Sequence, residues 1–242
     1  MESPRLVLLG LIELSGAPGA DELLAQSKLV ALLAYLALGT PSGYVRRDRI
    51  LAVLWPELES GHARSALRKA LHELRHLVGE HVIETRGDED VALAPAALWC
   101  DAVAFGAAEA DARLADALDC YRGELMPGFH MSGCLEYDQW LEQQRASLRE
   151  RAGSIAWALA IQHEREHSLT SAGSLARRAV RLLDSNERVL RRALELLDRI
   201  GDRAAAMTLY EEFAKRLRQD LDMEPSLETR QLAERLRTAQ KP

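Results

Sequence analysis

The chain has 242 residues, of which 48% are hydrophobic, 28% charged and only 5% aromatic, and its formal net charge is −6. That is enough for one large or two ordinary domains with real cores, and the composition suits a helix-rich protein. An acidic chain has no global basic field, so any nucleic-acid site has to be local. Cys100, Cys120 and Cys134 are odd in number and lack C-x-x-C spacing, which argues against a disulfide framework or a Cys-rich zinc site.

Near the N-terminus, "PRLVLLGLIEL" reads as one strand or two short ones. Its apolar part is barely long enough for a signal segment, and Glu13 interrupts it, so a buried strand is the better reading. "SKLVALLAYLAL", from Ser27, is a helix stopped by "GTPSG". "RRDRILAVLWP" is a second, short helix ended by Pro56. A third runs from about His62 to Val78, with Gly79 past its end. "VIETRGDEDVALAP" then reads as strand, polar turn, strand. Three helices followed by a hairpin make a winged helix, whose second and third helices form the helix-turn-helix.

From Ala96 onward the strand signals stop. "DAVAFGAAEA" and "RLADALDCY" read as a helical pair, followed by the loop "RGELMPGFHMSGC" and a long helix over about Glu136–His167. Four further amphipathic stretches follow, separated by short polar breaks, with small residues alternating with large apolar ones. This pattern predicts a tetratricopeptide-like, all-α second domain. The fold class is therefore mostly α: an α+β winged helix over 1–95, then a helical domain over 96–242. No run of about 18 apolar residues could span a bilayer, and the cytoplasm is the expected compartment.

Within "HELRHLVGEH", His72, Glu73 and His76 match the H-E-x-x-H pattern of zinc hydrolases. The helical projection argues otherwise. Ala63, Leu67, Ala70, Leu71, Leu74, Leu77 and Val78 share one face, and Arg64, Ser65, Arg68, Lys69, His72, Arg75 and His76 share the other. Cations beside a metal dication would oppose it. The same pattern recurs as "HEREH" at His163–His167, as expected of helices rich in Glu, Arg and His. No enzyme, metal or cofactor is expected. The charge in this region is instead concentrated and positive, since residues 44–76 carry seven basic side chains against four acidic ones. A cationic row on the second helix of a helix-turn-helix suits the major groove, where Arg and Lys reach guanine edges or phosphates. Arg46, Arg47 and Arg49 start the preceding helix and read equally as phosphate clamps or as a solvated charged turn.

"LWPELESGHARSALRKALHELRHLVG" resembles the OmpR-like winged helix of SARP-type bacterial regulators. "YRGELMPGFHMSGCLEYDQWLEQQRASLRERA" and "GDRAAAMTLYEEFAKRLRQDLDMEPSLETRQLAERLR" resemble the bacterial transcriptional activator domain, BTAD. The resemblance implies a regulator, by family pattern an activator, that binds tandem promoter repeats and helps recruit RNA polymerase. It assigns Arg64, Ser65, Arg68, Lys69, His72 and Arg75 to the recognition helix and Arg86 to the wing. The loop that begins at Trp55-Pro56 and includes Glu57 is the expected polymerase contact, although Trp55 also reads as a core plug. A homodimer on DNA is the expected assembly. The wing turn "RGDED" departs from the family, since its three acids would repel a phosphate backbone and leave Arg86 as the only wing cation. The rival reading is a repeat-type adaptor with weak, sequence-indifferent DNA binding.

Overall fold

Two short apolar stretches separated by a glycine open the chain, and in the structure, a computed structural model describing residues 3–39, 43–183 and 186–238, they form two strands. In chain order the first elements are β1 (Arg5–Val7), β2 (Glu13–Ser15), α1 (Ala20–Leu24), α2 (Ser27–Leu38), β3 (Val45–Arg46), α3 (Arg47–Leu54) and α4 (Ser60–Val78). Then come β4 (Ile83–Arg86), β5 (Asp90–Leu93), β6 (Trp99–Cys100), α5 (Asp101–Ala110) and α6 (Leu114–Cys120). The remainder is helical: α7 (Leu135–Arg165), α8 (Leu169–Leu182), α9 (Glu187–Arg199), α10 (Arg203–Leu221) and α11 (Leu227–Thr238). Packing gathers residues 1–146 and 147–242 into two compact units.

In the first unit, β1 is the middle strand of a small sheet ordered β2-β1-β6. It pairs antiparallel with β2, Leu6 opposite Leu14, and parallel with β6, Leu6 opposite Cys100. The break after β1 is Gly10, at φ +94°, a conformation that costs a residue with a Cβ. The Gly10 N–H donates to the Glu124 carbonyl at 2.8 Å, and a Cβ on Gly123 would lie 2.7 Å from the Gly10 Cα. Two glycines thus let the 121–126 segment run against the end of β1.

Asp101 joins these pieces. Its carboxylate, 4% exposed, accepts from the Leu8, Leu9 and Ala102 N–H groups at 2.9, 2.9 and 2.7 Å. Burial pushes its carboxyl above the usual aspartate range, and the three N–H donors pull against that shift. Asp101→Ala leaves buried donors without an acceptor and is expected to destabilise the fold by about 2–5 kcal/mol. A urea titration with an unchanged midpoint would contradict this.

The 121–134 loop is held from α7. Arg145 donates through Nε to the Leu125 carbonyl at 2.8 Å and through a terminal nitrogen to the Phe129 carbonyl at 3.1 Å, and also bonds the Met126 carbonyl. Tyr137 and Trp140 pack inward, Trp140 meeting Tyr35 edge-on at 4.8 Å. The second sheet, ordered β3-β5-β4, carries the wing, and α4 lies with its apolar face on the core.

In the second unit the helices pack as consecutive neighbours around Leu190, Leu194, Leu197, Leu209 and Phe213, with Ala160, Ala172, Ala176 and Ala193 between them. Small residues set the approach: a Cβ on Gly153 would come within 2.6 Å of the Leu183 side chain, and one on Gly173 within 2.9 Å of Ile200. Asn186 and Asp202 cap α9 and α10, each accepting at 3.1 Å from the N–H three residues on.

The last helix has a different anchor. Glu187 accepts from the Ser226 N–H at 3.0 Å and from the Thr229 hydroxyl, and lies 3.7 Å from Arg191. Burial pushes its carboxyl up, but these partners outweigh burial and hold it below the usual glutamate range. A depressed pKa stabilises the fold above the unfolded value of 4.5 and loses that contribution as pH falls through the folded value. Acid is therefore expected to loosen α11 early. The protection of the Leu232 and Leu236 amides against hydrogen exchange, relative to the intrinsic rate at each pH, should fall below about pH 4.5 in the wild type, with Glu187→Gln already poorly protected at neutral pH.

Candidate nucleic-acid interface

The helix-turn-helix is built by α3 and α4. The buried residues of α4 are Ala63, Leu67, Ala70, Leu71, Leu74, Leu77 and Val78, so one full face is spent on the core. The opposite face carries Arg64, Ser65, Arg68, Lys69 and His72, all exposed, with Arg75 half-buried beside them. At 19 residues the helix is about 28 Å long, ample to lie along a groove. Lys69 approaches Glu73 at 3.9 Å and Arg64 approaches Asp48 at the same distance. Among the described residues, Arg68 and Arg75 make no ion pair.

The wing brings a second set of charges to this face. β3 pairs with β5, Arg46 opposite Asp90, and the Arg47 N–H donates to the Glu89 carbonyl at 2.7 Å. This sets the tip of the β4–β5 hairpin beside the start of α3. The result is a cleft of about 420 Å³ lined by Arg46, Arg47, Arg64, Arg68 and the acids Asp48, Asp88 and Glu89. Arg46 reaches Glu89 at 3.3 Å. The Nε of Arg47 is buried without a hydrogen-bond partner among the described residues. Arg86 is turned to its own hairpin, bonded to Asp90 at 2.8 Å and stacked 4.5 Å from the centre of the Tyr44 ring.

The segment after α3 divides the two residues assigned to polymerase. Trp55 is 7% exposed and is a core residue, whereas Glu57 is exposed and Leu58 is 39% exposed. Lys28, on the otherwise apolar α2, organises this turn. Its ammonium donates to the Leu54 carbonyl, bonds the Cys134 sulfur at 3.2 Å, lies 3.7 Å from Glu57 and sits 5.5 Å from the centre of the Trp55 ring. Sequence reasoning missed Lys28, although a lone cation among the apolar residues of "SKLVALLAYLAL" was a usable signal.

His72 and His76 stand exposed on α4, and no group of three His, Cys, Asp or Glu that could hold a metal occurs among the described residues. Burial pushes the Cys100 thiol up to about 12, which makes it a poor thiolate source. No helix among the described residues is long and apolar enough to cross a membrane.

A winged helix-turn-helix followed by stacked helical pairs is the architecture of a transcription regulator. Residues 101–237 match the model of the bacterial transcriptional activator domain, and the chain belongs to that family. With the winged helix ahead of it, the chain has the layout of a SARP-type transcriptional regulator, not of an enzyme. Among solved structures it is similar to EmbR of Mycobacterium tuberculosis, described in complex with a low affinity phosphopeptide, with a TM-score of 0.65 at 20% identity. That match covers 100% of this chain and 67% of the other. No curated protein matches the chain.

Proposed function

We propose that this regulator binds promoter DNA by inserting α4 into the major groove. The observation that carries the reading is the division of α4, with every large apolar residue inward and an unbroken row of donors and cations outward. Arg68 and Lys69 reach base edges or phosphates, with Arg64, Ser65, His72 and Arg75 beside them. Arg46 and Arg47 hold a backbone phosphate at the cleft. Arg86 is a minor contributor, because Asp90 and Tyr44 already engage it. Residues 1–95 supply DNA recognition and residues 96–242 serve assembly or signal reception. Tandem half-sites about one helical turn apart put two protomers on one face of the duplex. The test is a salt-dependent titration with the gene's own upstream duplex and a scrambled one. Preference for the upstream duplex with a steep salt slope supports the reading; equal, weak binding to both sinks it in favour of the adaptor, the reading that the acidic wing motivates.

The activator role is assigned to the exposed turn after α3. Glu57→Ala with Leu58→Ala is expected to reduce transcription in vitro by about tenfold while leaving the DNA affinity within about twofold, since neither side chain is on the α4 face. A parallel loss of DNA binding would remove the assignment.

A further inference from the structure

The second unit holds a groove for which DNA recognition has no use. It lies between the 157–165 part of α7 and α9, is about 410 Å³ in volume, and is lined by Trp157, Ile161, Arg165, Arg192, Glu195 and Arg199. We propose that it docks an acidic peptide segment carrying a large apolar side chain, presented by a partner protein. This goes beyond DNA recognition and does not depend on α4.

Three observations lead there. Trp157 and Ile161 are spaced one turn apart on α7 and are half-buried, and Trp157 rests on the core cluster of the unit. Their outer faces give the groove an apolar floor, which is the part of an interface that anchors a side chain. The rim is cationic. Arg165 and Arg192 make no ion pair among the described residues, while Arg199 is bonded to Glu164 at 3.0 Å. Arg188, Arg192, Glu195 and Arg199 follow one another at helical spacing on α9, so this helix offers a basic row interrupted by a single acid. Guanidinium groups flanking an aromatic floor favour carboxylates, which they can bind by two parallel hydrogen bonds. The third observation is the charge of the unit. Residues 147–242 carry 18 basic and 15 acidic side chains, against 13 and 22 in residues 1–146. Taken unit by unit, the net charge is thus positive only in the one without the recognition helix. A narrow groove with an apolar floor fits a peptide better than a duplex, whose phosphates lie on a convex, wholly polar surface.

The test uses the full chain and a short fluorescein-labelled peptide of acidic residues around a central leucine, followed by anisotropy at low salt. A second peptide replaces each acid with its amide. The wild type is expected to bind the acidic peptide and not the amide one. Arg165→Gln with Arg192→Gln should weaken binding about tenfold or more, as should Trp157→Ala. Arg218→Gln, a change at an exposed residue that lies outside the groove lining and pairs with Glu224, should leave it unchanged. The glutamine variants alter groove-rim positions outside the core and keep the fold, so they decide the matter even if Trp157→Ala unfolds. The proposal is overturned if the wild type binds neither peptide, if both bind equally, or if the groove variants bind like the wild type. Displacement of the peptide by a random duplex acting through Arg165 and Arg192 also overturns it, making the groove a nucleic-acid site.

Discussion

Replacing Arg68 and Lys69 together with alanine is expected to lower affinity for the upstream duplex on the order of a hundredfold to a thousandfold and to erase most of the preference over a scrambled duplex. The slope of log affinity against log salt should become shallower by about one for each DNA phosphate that the variant no longer neutralises. Both positions are exposed, so the fold has no stake in them. Arg68 has no ion pair to lose among the described residues, and the Lys69–Glu73 approach at 3.9 Å, with Lys69 78% exposed, is worth little to stability. Leu74→Ala would be a misleading comparison, since Leu74 is 0% exposed and its loss acts through about 2–5 kcal/mol of unfolding. A double variant that keeps its native melting curve and its specific DNA affinity would show that α4 is not the reading helix.

The acidic wing leads to the second large effect, in the opposite direction. Asp88→Asn with Glu89→Gln is expected to tighten DNA binding about tenfold and to steepen its salt dependence. Both acids line the cleft with Arg46, Arg47, Arg64 and Arg68, and Glu89 engages Arg46 at 3.3 Å. That pair is too exposed, 66% and 76%, to matter much to stability. On the proposed function its consequence lies at the interface, where a DNA phosphate would have to compete with carboxylates already facing the same guanidinium groups. The wild type is expected to be a weak single-site binder that gains affinity from repeated sites. If neutralising the two acids leaves affinity unchanged, as judged by anisotropy on one half-site, the wing lies away from the backbone. Arg46→Gln should then also be silent.

What sequence reasoning read well was whatever is periodic. The seven buried residues of α4 are those that the 100° projection put on one face, because a stripe of that width has only one way to reach a core. The row of candidate DNA-binding residues followed as its complement. Elements too short to have a period escaped: α1 spans five residues and β3 and β6 two each. The two strands exist because β5 and β1 supply their pairing, while α1 is little more than one turn closed by its own backbone bonds. Long-range polar interactions were equally hidden. Asp101 looked like the first residue of one more helix, while its function in the fold is to accept from Leu8 and Leu9. Arg86 read as a free wing cation because nothing local announces that Tyr44, more than forty positions away in the chain, stacks on it. Trp55 read both as plug and as polymerase-facing residue, and its burial makes it a plug.

The parallel pairing of β1 with β6 and the Asp101 clasp limit how this regulator can be recombined. The folded unit that carries the winged helix does not end where its hairpin ends. A cut at residue 95 strips Trp99 and Cys100 from the edge of β1 and strands the Leu8 and Leu9 amides. It also removes Cys134 and Arg145, which hold the turn after α3 and the 121–134 loop. On the proposed function, grafting the DNA specificity onto another effector calls for a transplant through residue 146, where the first compact unit closes. Lineages that exchange such modules would leave their seams inside α7, not in the stretch between β5 and β6.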